Sequence, residues 1–208
     1  MYPEKIEQRI ANGIKIAFSG ENYVMPVIGE LIKKAIDITG ILKSDPEPEL
    51  AQENVLKKLL EKAKYTAFGK KYDFEDLLVR EDVVKAFQQH VPIFDYDQLN
   101  AQWWHYLREG HENVTWPGGQ KYFALSSGTT SNSKAIPVTD DMLEATRKSA
   151  LEQIISLKNF DLPPEFFQKQ ILMLGSSTQL KANGNFLEGE ISGISAGNIP
   201  ARAKGFYK

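Results

Sequence analysis

The sequence predicts an α/β chain in which a helical N-terminal layer comes first and the strands of a sheet come late. Three observations carry this reading. Apolar residues recur at helical spacing through the first half of the chain. A turn cluster, Trp116-Pro117-Gly118-Gly119, ends that pattern. Short apolar runs of strand length then follow at residues 121–125 and 134–138. The predicted organisation is a helical part over residues 1–115 and a partial α/β part over residues 116–208, forming one compact unit rather than two independent domains.

Each element has its own signal. Ile6, Ile10, Ile14 and Ala17 lie on one face of a predicted helix over residues 2–18, closed by Ser19-Gly20. A second helix is predicted over residues 23–39, where Val24, Val27, Ile28, Leu31, Ile32, Ala35 and Ile36 form one broad face and Gly40 marks the end. Pro26 falls in its first turn, where the missing N–H costs nothing. After the proline pair of Ser44-Asp45-Pro46-Glu47-Pro48, Val55, Leu56, Leu59, Leu60 and Ala63 predict a third helix to about residue 65. Phe68-Gly69 reads as a turn, residues 74–78 and 82–89 as brief helices, and residues 96–109 as a longer one.

A further helix is predicted over residues 140–158, with Asp140 and Asp141 at its positive end and Leu143, Ala150, Ile154 and Leu157 as its core face. Leu162-Pro163-Pro164 breaks the chain again; residues 170–174 read as a buried strand and residues 191–194 as a short one. A sheet of so few strands looks incomplete, and its open edge would invite association with another chain or a second copy.

Composition narrows the functions. The chain has 208 residues, 42% hydrophobic and 25% charged, which is the balance of a globular protein and not of a disordered one. It has no cysteine, so disulfides, thiolate metal sites and thiol nucleophiles are excluded. The net charge of -2 gives no reason to expect nucleic acid or a membrane surface as partner. The N-terminus lacks the basic stub and apolar run of a secretion signal, and no apolar run approaches the roughly 20 residues of a bilayer span, so the expected location is the cytoplasm.

Chemical content concentrates in one loop. Between two apolar strands stand Ser126, Ser127, Gly128, Thr129, Thr130, Ser131, Asn132, Ser133 and Lys134. A phosphate chain needs many hydrogen-bond donors close together, and small residues let backbone N–H groups approach its oxygens. Gly128 supplies free backbone, the serines and threonines supply hydroxyls, and Lys134 supplies charge. It is not a P-loop, because Ser133 and Ala135 flank the lysine where that motif has Gly and Ser or Thr. On residue types alone, phosphate binding and a plain polar hairpin both remain open.

The loop and its surroundings resemble a known family. Ser127-Gly128-Thr129-Thr130 with the following Lys134 is similar to the phosphate motif of acyl-adenylating enzymes such as luciferase. Trp116-Pro117-Gly118, Lys121-Tyr122-Phe123-Ala124 and Ile136-Pro137-Val138 resemble, more narrowly, the auxin-responsive promoter (Gretchen Hagen) family of acyl acid-amido synthetases. Tyr65-Thr66-Ala67-Phe68-Gly69-Lys70-Lys71-Tyr72, Val91-Pro92-Ile93 with Tyr96, and Gly189-Glu190-Ile191-Ser192-Gly193-Ile194 resemble its bacterial members. The superfamily usually has Gly and Pro where this chain has Ser131 and Ser133.

The resemblance implies that the strands open an acyl-adenylate-forming large domain. It implies a reaction in which a small carboxylic acid and ATP, with magnesium borne by the nucleotide, give acyl-AMP, and an amine or amino acid then takes the acyl group. Ser126, Ser127, Gly128, Thr129, Thr130, Ser131 and Lys134 would bind the phosphates, with Lys134 also acting in catalysis. Gln153 would stand where plant members place an arginine for the acyl substrate. Family members are longer and carry further nucleotide motifs later, so the chain is expected to be an N-terminal portion, inactive by itself. The alternative is a non-catalytic truncated homologue that serves as a binding module, or a stable helical fragment with no ligand.

Other candidates have simpler readings. His90, His105 and His111 are the only histidines, and the last two share no helical face, so packing or surface roles are expected rather than a metal site. Trp103, Trp104 and Tyr106 read as core. Glu188 and Glu190, which flank Gly189, could act as a general base toward the amine, but a solvated turn is the expected reading.

Overall fold

A computed structural model describes residues 25–42, 47–126, 134–168 and 175–200. The helix predicted over residues 2–18 and the strand over residues 170–174 lie outside the described residues. By proximity the chain groups into two units: Met1–Ser44, Ala145–Met173 and Ala201–Lys208 in the first, Asp45–Glu144 and Leu174–Pro200 in the second.

In the first unit, α1 (Met25–Leu42) runs through Gly40 instead of stopping there. It packs against two short 3-10 turns, Leu157–Asn159 and Pro164–Gln168. Ile36 is buried on this helix, and the Lys33 ammonium donates to the Leu162 carbonyl at 2.8 Å.

The second unit opens with α2 (Pro48–Ala63), started by its proline at the first helical position. Residues 68–69 are not a turn, because α3 (Ala67–Lys71) covers them. The signal missed there was the N-cap: buried Thr66 accepts the Gly69 N–H at 3.0 Å and donates to the Ala63 carbonyl at 2.7 Å. The brief helices α4 (Phe74–Leu77) and α5 (Val83–His90) follow where predicted, and Asp82 caps the second through the Lys85 N–H. Leu60, Ala63, Phe74, Leu77, Val83 and Ala86 bury one another between these helices.

The longer predicted helix is present as α6 (Tyr96–Leu99), a π turn over Asn100–Trp104, and α7 (His105–Arg108). A π turn adds a residue to the winding and so rotates everything after it. Leu107 consequently takes the core position, while Tyr106 is exposed and stacks on His105 at 3.8 Å rather than entering the core.

Strands β1 (Tyr122–Leu125) and β2 (Ala135–Val138) pair antiparallel, and α8 (Asp140–Ser156) follows them. Of the four residues expected in the core from that helix, Leu143 is buried, Leu157 is partly buried, and Ala150 and Ile154 are exposed. Arg147, Lys148 and Glu152 interrupt the apolar face beyond Leu143. The sheet also holds β3 (Lys181–Asn183) and β4 (Phe186–Gly189), a hairpin that the sequence reading missed, and with four described strands it remains small and incomplete, as expected. The hairpin's signal is the two-residue loop Gly184-Asn185 between the paired Asn183 and Phe186, with Gly184 at φ 58° where the first loop position requires positive φ.

The order of the four described strands is β2-β1-β4-β3, with β1 and β4 parallel. Alternate residues of β1 serve two cores. Phe123 packs with Leu107, Val114, Ala135 and Phe186 on one face; Tyr122 and Ala124 pack with Val138, Leu143 and Ile194 on the other.

Residues 191–194 are not a strand: α9 (Ile191–Gly197) begins there. The three-residue spacing of Ile191 and Ile194 is helical, and Ile194 is fully buried against the sheet. The described residues thus form a mixed α/β structure, helices first and a small sheet late. No helix among them is long and apolar enough to cross a membrane.

Candidate functional site

The ladder between β1 and β2 sets the ends of the polar loop. Beyond the Leu125–Ala135 pair, the Ser126 N–H donates to the Lys134 carbonyl at 2.9 Å, and the Lys134 N–H donates to the Ser126 hydroxyl oxygen at 3.2 Å. Ser126 and Lys134 therefore face each other across the stem of the loop. Ser127, Gly128, Thr129, Thr130 and Ser131 lie outside the described residues.

Lys134 is exposed, and its ammonium lies 5.0 Å from the centroid of the Tyr96 ring. No carboxylate pairs with it among the described residues. The Tyr96 hydroxyl accepts the Ala135 N–H at 2.9 Å and reaches the Ala135 carbonyl at 3.4 Å. Tyr96 is itself held at the start of α6 by a capping box, in which Asp95 accepts the Gln98 N–H at 2.8 Å and Gln98 accepts the Asp95 N–H at 3.0 Å. Its ring meets Trp104 at 5.9 Å, and Trp103 and Trp104 are half-buried against the Phe123 cluster. A short capped helix thus brings an aromatic ring to the residue that ends the loop.

The sequence reading missed Tyr96 as a member of this site. It lies 39 residues from Ala135 in the chain, and no local spacing connects the two.

The remaining candidates are dispersed. Asp140 and Asp141 occupy the first turn of α8, as expected, and Asp141 takes the Lys62 ammonium at 2.5 Å and the Trp116 indole N–H at 2.8 Å. His90 and His105 contact backbone carbonyls, Ala86 at 2.8 Å and Asn100 at 3.0 Å, while His111 lies 3.8 Å from Glu109. Glu188 stands in β4 opposite Phe123 and Lys181, not in a solvated turn, because the strand continues to Gly189. Glu190 is exposed at the start of α9, and Gln153 is exposed on α8.

A polar loop mounted on a two-stranded stem, with one exposed lysine at its exit, defines a candidate anion site. Comparison with known families agrees with the resemblance found in the sequence: residues 38–201 match the GH3 family N-terminal domain. The chain belongs to this Gretchen Hagen family of acyl acid-amido synthetases. No curated protein matched it.

Proposed function

We propose that this chain supplies the phosphate-binding part of an acyl acid-amido synthetase that activates its acid with ATP. The observation that carries the reading is the stem geometry: Ser126 and Lys134 are hydrogen-bonded to each other at the ends of a hydroxyl-rich loop, and the Lys134 ammonium is exposed without a carboxylate among the described residues. In a chain of this family, a cation at that point with no carboxylate partner among the described residues is suited to an anionic ligand.

In the reaction proposed, a carboxylate oxygen attacks the α-phosphorus of ATP, the bond to the β-phosphate breaks, and pyrophosphate leaves. The amine of an acceptor then attacks the acyl carbon, loses its proton, and displaces AMP. Ser126, Ser127, Gly128, Thr129, Thr130, Ser131 and Lys134 would donate hydrogen bonds to the phosphates and neutralise the charge that builds on the leaving pyrophosphate. Magnesium arrives with the nucleotide, held by phosphate oxygens and water. Gln153 remains the proposed neighbour of the acyl group, able to hydrogen-bond it but unable to form an arginine's two-pronged ion pair.

Taken alone, these 208 residues are expected not to form the adenylate. The base, ribose and α-phosphorus must be fixed relative to the acid, and a misplacement of about 1 Å costs on the order of a hundredfold in rate. The test is photocrosslinking with an azido-ATP carrying its label on the terminal phosphate, followed by mapping of the labelled peptide. Labelling at residues 126–134 supports the proposal; labelling confined to Pro48–Ala63 overturns it. Acid-dependent pyrophosphate release by the purified chain would overturn the expected inactivity.

A further inference from the structure

Tyr96 makes two different attachments to two consecutive residues. In the antiparallel ladder, Ser126 and Lys134 form a hydrogen-bonded pair, so the next pair, Leu125 and Ala135, turns its N–H and C=O groups away from the partner strand. Among the described strands β2 stands at the end of the sheet, and its Ala135 groups face no further strand. The Tyr96 hydroxyl takes the place of one, accepting from the Ala135 N–H at 2.9 Å and lying 3.4 Å from its carbonyl. Ala135 is buried, so water would be a poor substitute for this partner.

The ring of the same side chain lies 5.0 Å from the Lys134 ammonium. A free lysine side chain has large rotamer freedom, and an aromatic face close to its charge narrows that freedom. The contact leaves the ammonium its full charge, and the N–H donors directed away from the ring stay available to an anion.

From this juxtaposition we infer that Tyr96 is a positioning residue for Lys134. Its hydroxyl fixes the backbone at the loop's exit, and its ring holds the ammonium beside the loop. The inference rests on the reading of residues 126–134 as a phosphate site. It gives that site a component from α6, a segment with no hydroxyl-rich motif of its own.

The test uses the full 208-residue chain, ATP as the probe, and NMR of the Lys134 side chain, assigned by its loss in Lys134→Arg. Ring shielding should move the Lys134 ε-protons upfield in the wild type and in Tyr96→Phe, and leave them at ordinary lysine values in Tyr96→Leu. The two variants lose the hydroxyl equally, so comparing them isolates the ring. ATP should bind Tyr96→Leu about two- to fivefold more weakly than Tyr96→Phe. Equal affinity in the two variants overturns the inference while leaving the phosphate reading in place. Should Tyr96→Leu fail to fold, the wild-type spectrum still decides, since unshielded Lys134 protons there overturn it. A wild-type chain that takes up no ATP overturns the phosphate reading and the inference with it, and the shielding then reports only on the stack.

Discussion

The Lys62 ammonium lies 2.5 Å from one carboxylate oxygen of Asp141, and the other oxygen accepts the Trp116 indole N–H at 2.8 Å. One carboxylate at the start of α8 thus collects a donor from α2 and a donor from the Trp-Pro-Gly-Gly turn. The neighbouring Asp140 shares the helix N-terminus but makes neither contact, so the two aspartates separate dipole stabilisation from specific bonding. Both partners of the ion pair are about half exposed, which limits what the pair contributes. Asp141→Ala should lower stability by about 1–2 kcal/mol, and Asp140→Ala by about 0.3–1 kcal/mol. Urea midpoints of the two variants check this; an equal or larger loss at Asp140 would refute the ranking.

The two glycines of α9 should respond with opposite sign. A Cβ at buried Gly193 would run into the Ser177 carbonyl and crowd the Ser176 hydroxyl, which accepts the Gly193 N–H at 2.9 Å. At Gly197 a Cβ would meet nothing within 4 Å. Gly193→Ala should therefore cost about 1–3 kcal/mol, through overpacking against rigid backbone. Gly197→Ala should be neutral or stabilising by up to about 1 kcal/mol, through helix propensity. Thermal or urea unfolding of both variants is the measurement, and a destabilised Gly197→Ala would mean that the helix end carries a contact of its own.

Gly184 isolates conformation from sterics. Its φ is 58° and a Cβ there meets no atom within 4 Å. Gly184→Ala should cost about 1–2 kcal/mol from the left-handed backbone alone. Gly184→Asn should cost less, because Asn tolerates that region better. Equal losses in urea unfolding would show that the loop changes its backbone to suit either residue.

These positions also show where the sequence was legible. The helices at Met25–Leu42, Pro48–Ala63, Val83–His90 and Asp140–Ser156 announced themselves by periodicity, and the strands Tyr122–Leu125 and Ala135–Val138 by short apolar runs after a turn cluster. Periodicity is a local property, and local properties survive into the fold. Residues 191–194 misled because two isoleucines favour strands in isolation, whereas burial of Ile194 against Ala124 and Val138 selects the helix. The β3–β4 hairpin was missed because its strands are short and its outer one is wholly exposed, leaving only the Gly184-Asn185 turn as a signal. At the candidate site, Ser126 and Lys134 were legible as donor chemistry at a strand boundary. Tyr96 was not, since its part depends on a tertiary contact across the chain.

The last prediction concerns the two described residues that face each other across the loop stem. Lys134 brings a full charge with no carboxylate partner among the described residues, while the Ser126 hydroxyl oxygen already accepts the Lys134 N–H at 3.2 Å and has one proton left to donate. A charge-assisted contact to a phosphate is worth roughly 1.5–3 kcal/mol, or about 10- to 150-fold in rate if it forms mainly in the transition state. A neutral hydroxyl contact is worth roughly 0.5–1.5 kcal/mol, about two- to twelvefold. In a chain of this family that carries out acid-dependent ATP–pyrophosphate exchange, Lys134→Ala should therefore reduce exchange by more than tenfold, Ser126→Ala by less, and Lys134→Arg by less than Lys134→Ala. The backbone bond from the Ser126 N–H to the Lys134 carbonyl survives all three substitutions, so the stem should persist and the comparison should report on donors rather than on folding. Exchange rates measured at saturating ATP decide the matter. Wild-type exchange in Lys134→Ala would reduce Lys134 to a solvated lysine beside a tyrosine, and a larger loss at Ser126 than at Lys134 would assign the principal phosphate contact to the hydroxyl side of the stem.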